Sequence, residues 1–233
     1  MSEIIVQTFG KEIREGHLGG CSIGGDPATY YPIMWEYLVE KYNIQSALDI
    51  GSGVGHASKF FKSLNCEVLA VDGSIEVKNN SLVPESHIVH DYESGSVFDS
   101  NEIEFNGKVG KDISIDLCWS CEFVEHVYEK FAQNFIDDFK VCKYLAITYA
   151  GPNQGGYHRV NLQPESYWID LLRKNGFKYQ KRDTKILRDK CREDFEFMKT
   201  DPSYENIVTP WDGTSMKDYT SHFYEKGLFF VRK

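Results

Sequence analysis

Residues 47–55 read Ala47-Leu48-Asp49-Ile50-Gly51-Ser52-Gly53-Val54-Gly55, and the fold turns on how they are read. Ala47 to Ile50 has the apolar run of a short buried strand. The glycines break it, and a helical pattern opens at His56 and continues to Leu64. Glycine suits such a turn because the backbone takes unusual dihedrals there and because a ligand must come close to it. Gly51, Gly53 and Gly55 stand first, third and fifth. The dinucleotide fingerprint wants first, third and sixth, which disfavours a nicotinamide cofactor. Asp49 puts a carboxylate at the end of the strand, two residues before the first glycine.

Outward from this turn the chain alternates strand and helix. On the N-terminal side, residues 1–31 are polar and glycine-rich with no sustained period. Apolar anchors at Cys21, Ile23, Tyr30 and Tyr31 make this stretch an arm, expected to act as a lid over the ligand cleft. Pro32 opens a helix to about Tyr42. On the other side Val68 to Val71 is a second buried strand closing in Asp72-Gly73-Ser74. A carboxylate there, 17 residues past Gly55, is placed to accept from ribose hydroxyls. His87 to His90 is a third strand followed by Asp91-Tyr92. Glu102 to Val109 forms a hairpin about Asn106-Gly107, Ile113 to Ser120 a fourth strand, and Tyr144 to Tyr149 a fifth. Between the last two, Val127, Phe131, Phe135 and Phe139 recur at helical spacing as a core-facing stripe. Pro164 starts another helix, Phe177 to Tyr179 is a sixth strand, residues 182–199 a charged helix, and Gly227 to Arg232 a last strand.

This order predicts an α/β, Rossmann-like, doubly wound seven-stranded sheet with ligands at the carboxyl ends of the strands. The last strand is expected to return antiparallel beside the fifth. Residues 32–233 form the catalytic domain in this reading, with the arm laid over it.

Composition narrows the function. The chain has 233 residues, 41% hydrophobic and 14% aromatic, enough for a sizeable core. No apolar run approaches membrane-spanning length, and the N-terminus has no signal-peptide pattern, so a cytoplasmic, membrane-free protein is expected. Six scattered cysteines suggest reduced thiols, and Cys118-x-x-Cys121 has no second pair to complete a zinc site. A net charge of −9 argues against a long phosphate-tracking surface and hence against nucleic acid as partner.

The glycine turn with Asp49 resembles motif I of the class I S-adenosylmethionine (SAM) dependent methyltransferases. The resemblance implies SAM as cofactor, lying across Asp49, Gly51 and Gly53, with ribose at Asp72 and Gly73. It also implies adenine at Asp91 and Tyr92, with Ser120 completing the set. After the fourth strand, Glu122-Phe-Val-Glu125-His126 resembles the Glu-x-x-Glu-His signature of methyltransferases that act on hydroxyl groups. There the carboxylates and imidazole hold a divalent cation. On the first turn of a helix, Glu122, Glu125 and His126 would share one side. His158, in the loop after the fifth strand, would be the fourth ligand. His17-Leu-Gly-Gly20, Gly24-Gly-Asp-Pro27 and Gln154 to Pro164 are similar to a family of small methyltransferases of phages and large DNA viruses, some linked to glycosyltransferases. That likeness implies a viral enzyme in the host cytoplasm, associated with glycosyltransferases. Arg159 departs from it, standing where a second histidine is expected.

The function expected is SAM-dependent O-methylation of a sugar hydroxyl on a rhamnose-type glycan, assisted by Mn²⁺ or Mg²⁺. The alternative is a metal-free methyltransferase of a small molecule or a terminal nucleic-acid 2′-hydroxyl, with His126 or His158 as general base.

Overall fold

The computed structural model describes residues 12–200 and 221–233. The first part of the arm and most of the polar stretch before the last strand therefore lie outside the described residues. In chain order the elements are β1 (Glu12–Arg14), β2 (Gly20–Ser22), α1 (Pro32–Tyr42), β3 (Ser46–Ile50), α2 (His56–Ser63), β4 (Glu67–Asp72), α3 (Ile75–Asn79) and β5 (His87–Val89). There follow β6 (Glu104–Phe105), β7 (Lys108–Val109), β8 (Ile115–Ser120), α4 (Ala132–Phe139), β9 (Cys142–Ile147), α5 (Glu165–Lys174), β10 (Phe177–Tyr179), α6 (Lys181–Thr200), α7 (His222–Lys226) and β11 (Leu228–Arg232).

The central sheet has seven strands in the order β10-β11-β9-β8-β3-β4-β5. β9, β8, β3, β4 and β5 run parallel, and β11 inserts antiparallel between β9 and β10, beside β9 as expected. β3 is buried along its whole length. Its alternate side chains enter two cores, Leu48 and Ile50 on one face of the sheet and Ala47 on the other. Phe135 and Phe139 of α4 fill the first core; Trp35 of α1 and Trp119 of β8 meet edge to face in the second, rings 5.5 Å apart. Tyr31, at the N-cap of α1, provides no side-chain cap. Asp194 of α6 does so from 160 residues away, accepting from Ile33 N at 2.7 Å and Met34 N at 3.1 Å.

Two expectations are corrected here. The arm is not without regular structure: β1 and β2 pair antiparallel, Ile13 opposite Cys21. Its glycines and short apolar spacing hide a hairpin only three residues deep. The segment after β8 is not helical either. Glu122 has φ +52°, and the helix begins only at Ala132, so Val127 and Phe131 precede it. Val127 still packs against the core, but Glu122, Glu125 and His126 do not share a helical turn.

His87, at the start of β5, is buried, and its Nδ1 lies 2.8 Å from Ser81 Oγ. Burial and the Lys78 ammonium lower its pKa to about 4. The folded value is below the ordinary one. Its contribution is therefore complete above about pH 6.5 and is lost as pH falls toward 4, on the order of 2 kcal/mol. Asp49, Asp72 and Asp194, raised by burial to about 7, 6 and 7, act in the opposite sense over the same range. The expected result is therefore a difference: thermal melts from pH 7 to 4 should show wild type losing stability relative to His87→Gln. Parallel curves would refute the assignment.

Candidate active site

The carboxyl ends of β3, β4 and β8 open into one cavity of about 620 Å³. Its floor on the β3 side is the glycine turn. Gly51 has φ +72°, and a Cβ there would come within 2.6 Å of Phe123 Cβ, so only glycine lets the turn pass under that ring. Asp49 is fully buried behind it, accepting from Ser58 Oγ at 2.7 Å, and burial pushes its carboxyl up to about 7. Asp72, closing β4, accepts from Gly53 N at 3.0 Å and Ser74 N at 3.1 Å. Burial raises it to about 6 against those two bonds. The carboxylate thus ties the glycine turn to the next strand and keeps lone pairs for a ligand.

Asp49, Gly51, Gly53, Asp72, Glu122 and His126 all line this cavity. Gly73, Asp91 and Tyr92 line a smaller one of about 40 Å³, which shares Leu18, Phe123 and His126 with the first. Leu18 presses on Gly73 so closely that a Cβ there would meet Leu18 Cδ2 at 2.7 Å, and His17 Nε2 lies 2.8 Å from Asp91 Oδ2. Tyr92 is a core residue, its ring edge-on to Phe123 and Phe135. Ser120 is fully buried with its hydroxyl unpartnered among the described residues, and it lines neither cavity.

On the opposite wall the turn after β8 meets the loop after β9. Val160 N and Asn161 N donate to Glu125 O at 2.9 and 3.0 Å, and the His126 ring Nδ1 lies 3.2 Å from His158 O. A carbonyl only accepts, so Nδ1 carries the proton and Nε2 keeps its lone pair. Burial lowers the His126 pKa to about 4, with Glu122 opposing, and the imidazole is neutral at pH 7. Glu122 accepts from Thr148 Oγ1 at 3.1 Å and from Arg159 Nη2 at 2.6 Å. His222 Nδ1 lies 3.6 Å from the same carboxylate and Nε2 3.7 Å from Asp26. Burial would lower His222, but Glu122 and Asp26 outweigh it and hold it at about 9.

The expected metal ligands do not come together. Among the described residues no group of three His, Cys, Asp or Glu side chains could hold a metal ion. Glu122 faces a guanidinium, and Glu125 is fully buried beneath the turn with neither oxygen partnered among the described residues. Burial and the neighbouring Glu122 charge push the Glu125 carboxyl well above its ordinary range. Among the described residues these four side chains form no cation site.

Arg159 and His222 are the residues the sequence reading did not credit. Arg159 registers there only as a departure from a motif. His222 follows a featureless polar stretch, yet topology could have found it. A last strand antiparallel beside β9 must begin at the carboxyl edge, so α7 just before it has to border the cavity.

No protein-family model and no curated protein matches the sequence. Among solved structures the chain is similar to the magnesium protoporphyrin IX methyltransferase of Synechocystis with bound SAM, at 14% identity and TM-score 0.50 over 85% of this chain and 76% of that one. It is similar too to a TehB-like SAM-dependent methyltransferase from Corynebacterium glutamicum, at 12% identity and TM-score 0.50 over 87% and 88%. Among the described residues no helix is long and apolar enough to cross a membrane. The likeness shows a shared fold: this chain has the Rossmann-like architecture of those two methyltransferases.

Proposed function

We propose that the protein is a SAM-dependent O-methyltransferase that methylates a sugar hydroxyl without a metal ion, His126 acting as general base. One observation carries this reading: strand-end carboxylates Asp49 and Asp72 and the base His126 line one 620 Å³ cavity at the carboxyl edge of the sheet. SAM supplies an activated methyl group, so the chain's part is to seat cofactor and acceptor in line and take the hydroxyl proton. The neutral imidazole, protonated on Nδ1 toward His158 O, presents Nε2 for that proton; the Glu122 charge favours the imidazolium that forms, and burial and the Arg159 charge oppose it.

A carbohydrate acceptor is supported by the remaining wall. Tyr30 and Tyr157 line the cavity with aromatic side chains against which the C–H side of a pyranose can pack. The test is methyl transfer from labelled SAM to methyl α-L-rhamnopyranoside in excess chelator, with a 3′-terminal ribonucleotide in parallel. Transfer to the rhamnoside unaffected by chelator is expected. Transfer only to RNA, or only with added Mn²⁺, would overturn the reading.

Cofactor binding should depend on pH. SAM carries a sulfonium and an ammonium group, and such a cation favours ionised Asp49 and Asp72. With folded values of about 7 and 6, these carboxyls must shed protons for binding at lower pH. Affinity for SAM should fall as pH drops from 7.5 to 5.5, by up to about tenfold per unit for each proton expelled. Calorimetry in buffers of different ionisation enthalpy should register proton release at pH 6.5. A pH-independent affinity with no proton release would contradict the placement.

A further inference from the structure

Arg159 belongs to none of the motifs that mark the cofactor, yet it is the most firmly placed charge on the acceptor wall. Its Nη2 donates to Glu122 Oε2 at 2.6 Å and its Nη1 to Gly155 O at 2.9 Å. Both members of the ion pair are only 17% exposed, and both line the large cavity. A partly desolvated, charge-assisted bond of that length is strong and directional. The loop is shaped around the guanidinium: Gly156 has φ +150°, and a Cβ there would meet Arg159 Nε at 2.7 Å. Glu122 is locked from behind, its N–H donating to Thr148 Oγ1 at 2.7 Å, in a left-handed conformation that costs a non-glycine residue free energy.

The two segments that carry this pair also carry the base. The loop bearing Arg159 is latched to the turn bearing Glu122 and His126 through Val160 N, Asn161 N and His158 O. Guanidinium and imidazole are therefore fixed relative to one another. Among the described residues two of the five guanidinium N–H donors are used, which leaves three for a ligand.

We propose that Arg159, held by Glu122, is the acceptor-positioning residue. It donates to the sugar oxygens adjacent to the hydroxyl presented to His126 Nε2, a fixed cation standing where a metal ion was expected. The assignment rests on the methyl-transfer reading above. It adds that the diol is gripped by a planar fork, which lysine cannot reproduce.

The experiment compares wild type, Arg159→Ala and Arg159→Lys, with methyl α-L-rhamnopyranoside as acceptor and S-adenosylhomocysteine affinity measured in parallel. Arg159→Ala should raise the KM for the rhamnoside by about 10–100-fold, with S-adenosylhomocysteine affinity unchanged. Added guanidinium ion at sub-denaturing concentration should restore part of its activity. Arg159→Lys should fold and bind the cofactor product as wild type does, yet keep a raised KM. An unchanged KM in both variants overturns the proposal. So does an Arg159→Ala defect that guanidinium does not relieve, because a merely structural role predicts that. A wild type that binds S-adenosylhomocysteine but methylates no rhamnoside brings down the acceptor reading and this assignment together. An active wild type matched by an equally active Arg159→Ala overturns this assignment alone.

Discussion

Replacing His126 by glutamine is expected to lower kcat for methyl transfer by about 10²–10⁴-fold, the range that a positioned general base contributes. Glutamine can keep a donor toward His158 O but has no lone pair basic enough to take a hydroxyl proton. S-adenosylhomocysteine affinity should stay within about twofold, because no cofactor carboxylate changes. His158→Gln separates the two histidines named from sequence. His158 serves His126 through its backbone carbonyl, and its own Nε2 is buried and unpartnered among the described residues. That variant should keep most of the activity. Single-turnover rates of the two variants, with rhamnoside saturating, decide between them. If His126→Gln is fully active the base assignment is wrong, and if His158→Gln is the dead variant the roles are exchanged.

Asp72→Ala should weaken S-adenosylhomocysteine binding by about 1.5–3 kcal/mol, or roughly 10–150-fold in Kd. The carboxylate bonds the ribose in this account and also accepts from Gly53 N, so alanine removes a ligand contact and frees the turn under the cofactor. Asp72→Asn separates these effects. Its amide oxygen can still accept from Gly53 N, and its affinity should lie between wild type and alanine. Titration calorimetry reads both. Alanine binding as tightly as wild type would remove Asp72 from the site.

The parts of this molecule legible in the sequence are those fixed by local pattern. The glycine turn, the strand-end Asp72 and the antiparallel β11 follow from periodicity and spacing. Asn106-Gly107 forms the expected tight hairpin turn, both residues at positive φ. The segment after β8 misled because an i, i+3, i+4 spacing is helical only if the backbone is. Here Glu122 turns left-handed to reach Thr148 and Arg159, contacts made with chain 26 and 37 residues away. Asp91 illustrates another limit. It ends up facing His17 across 74 residues, and no local window relates the arm to β5. Arg159 and His222 were hidden for the same reason, since their partners are set by sheet order and not by sequence neighbours.

Titration of the purified protein with S-adenosylhomocysteine at pH 7.5, with NADH titrated in parallel, decides whether the β3–β4 cleft is built for SAM. Saturable binding of one S-adenosylhomocysteine per chain, displaced by SAM, is expected, with no heat from NADH. Saturable NADH binding with none for S-adenosylhomocysteine would contradict it.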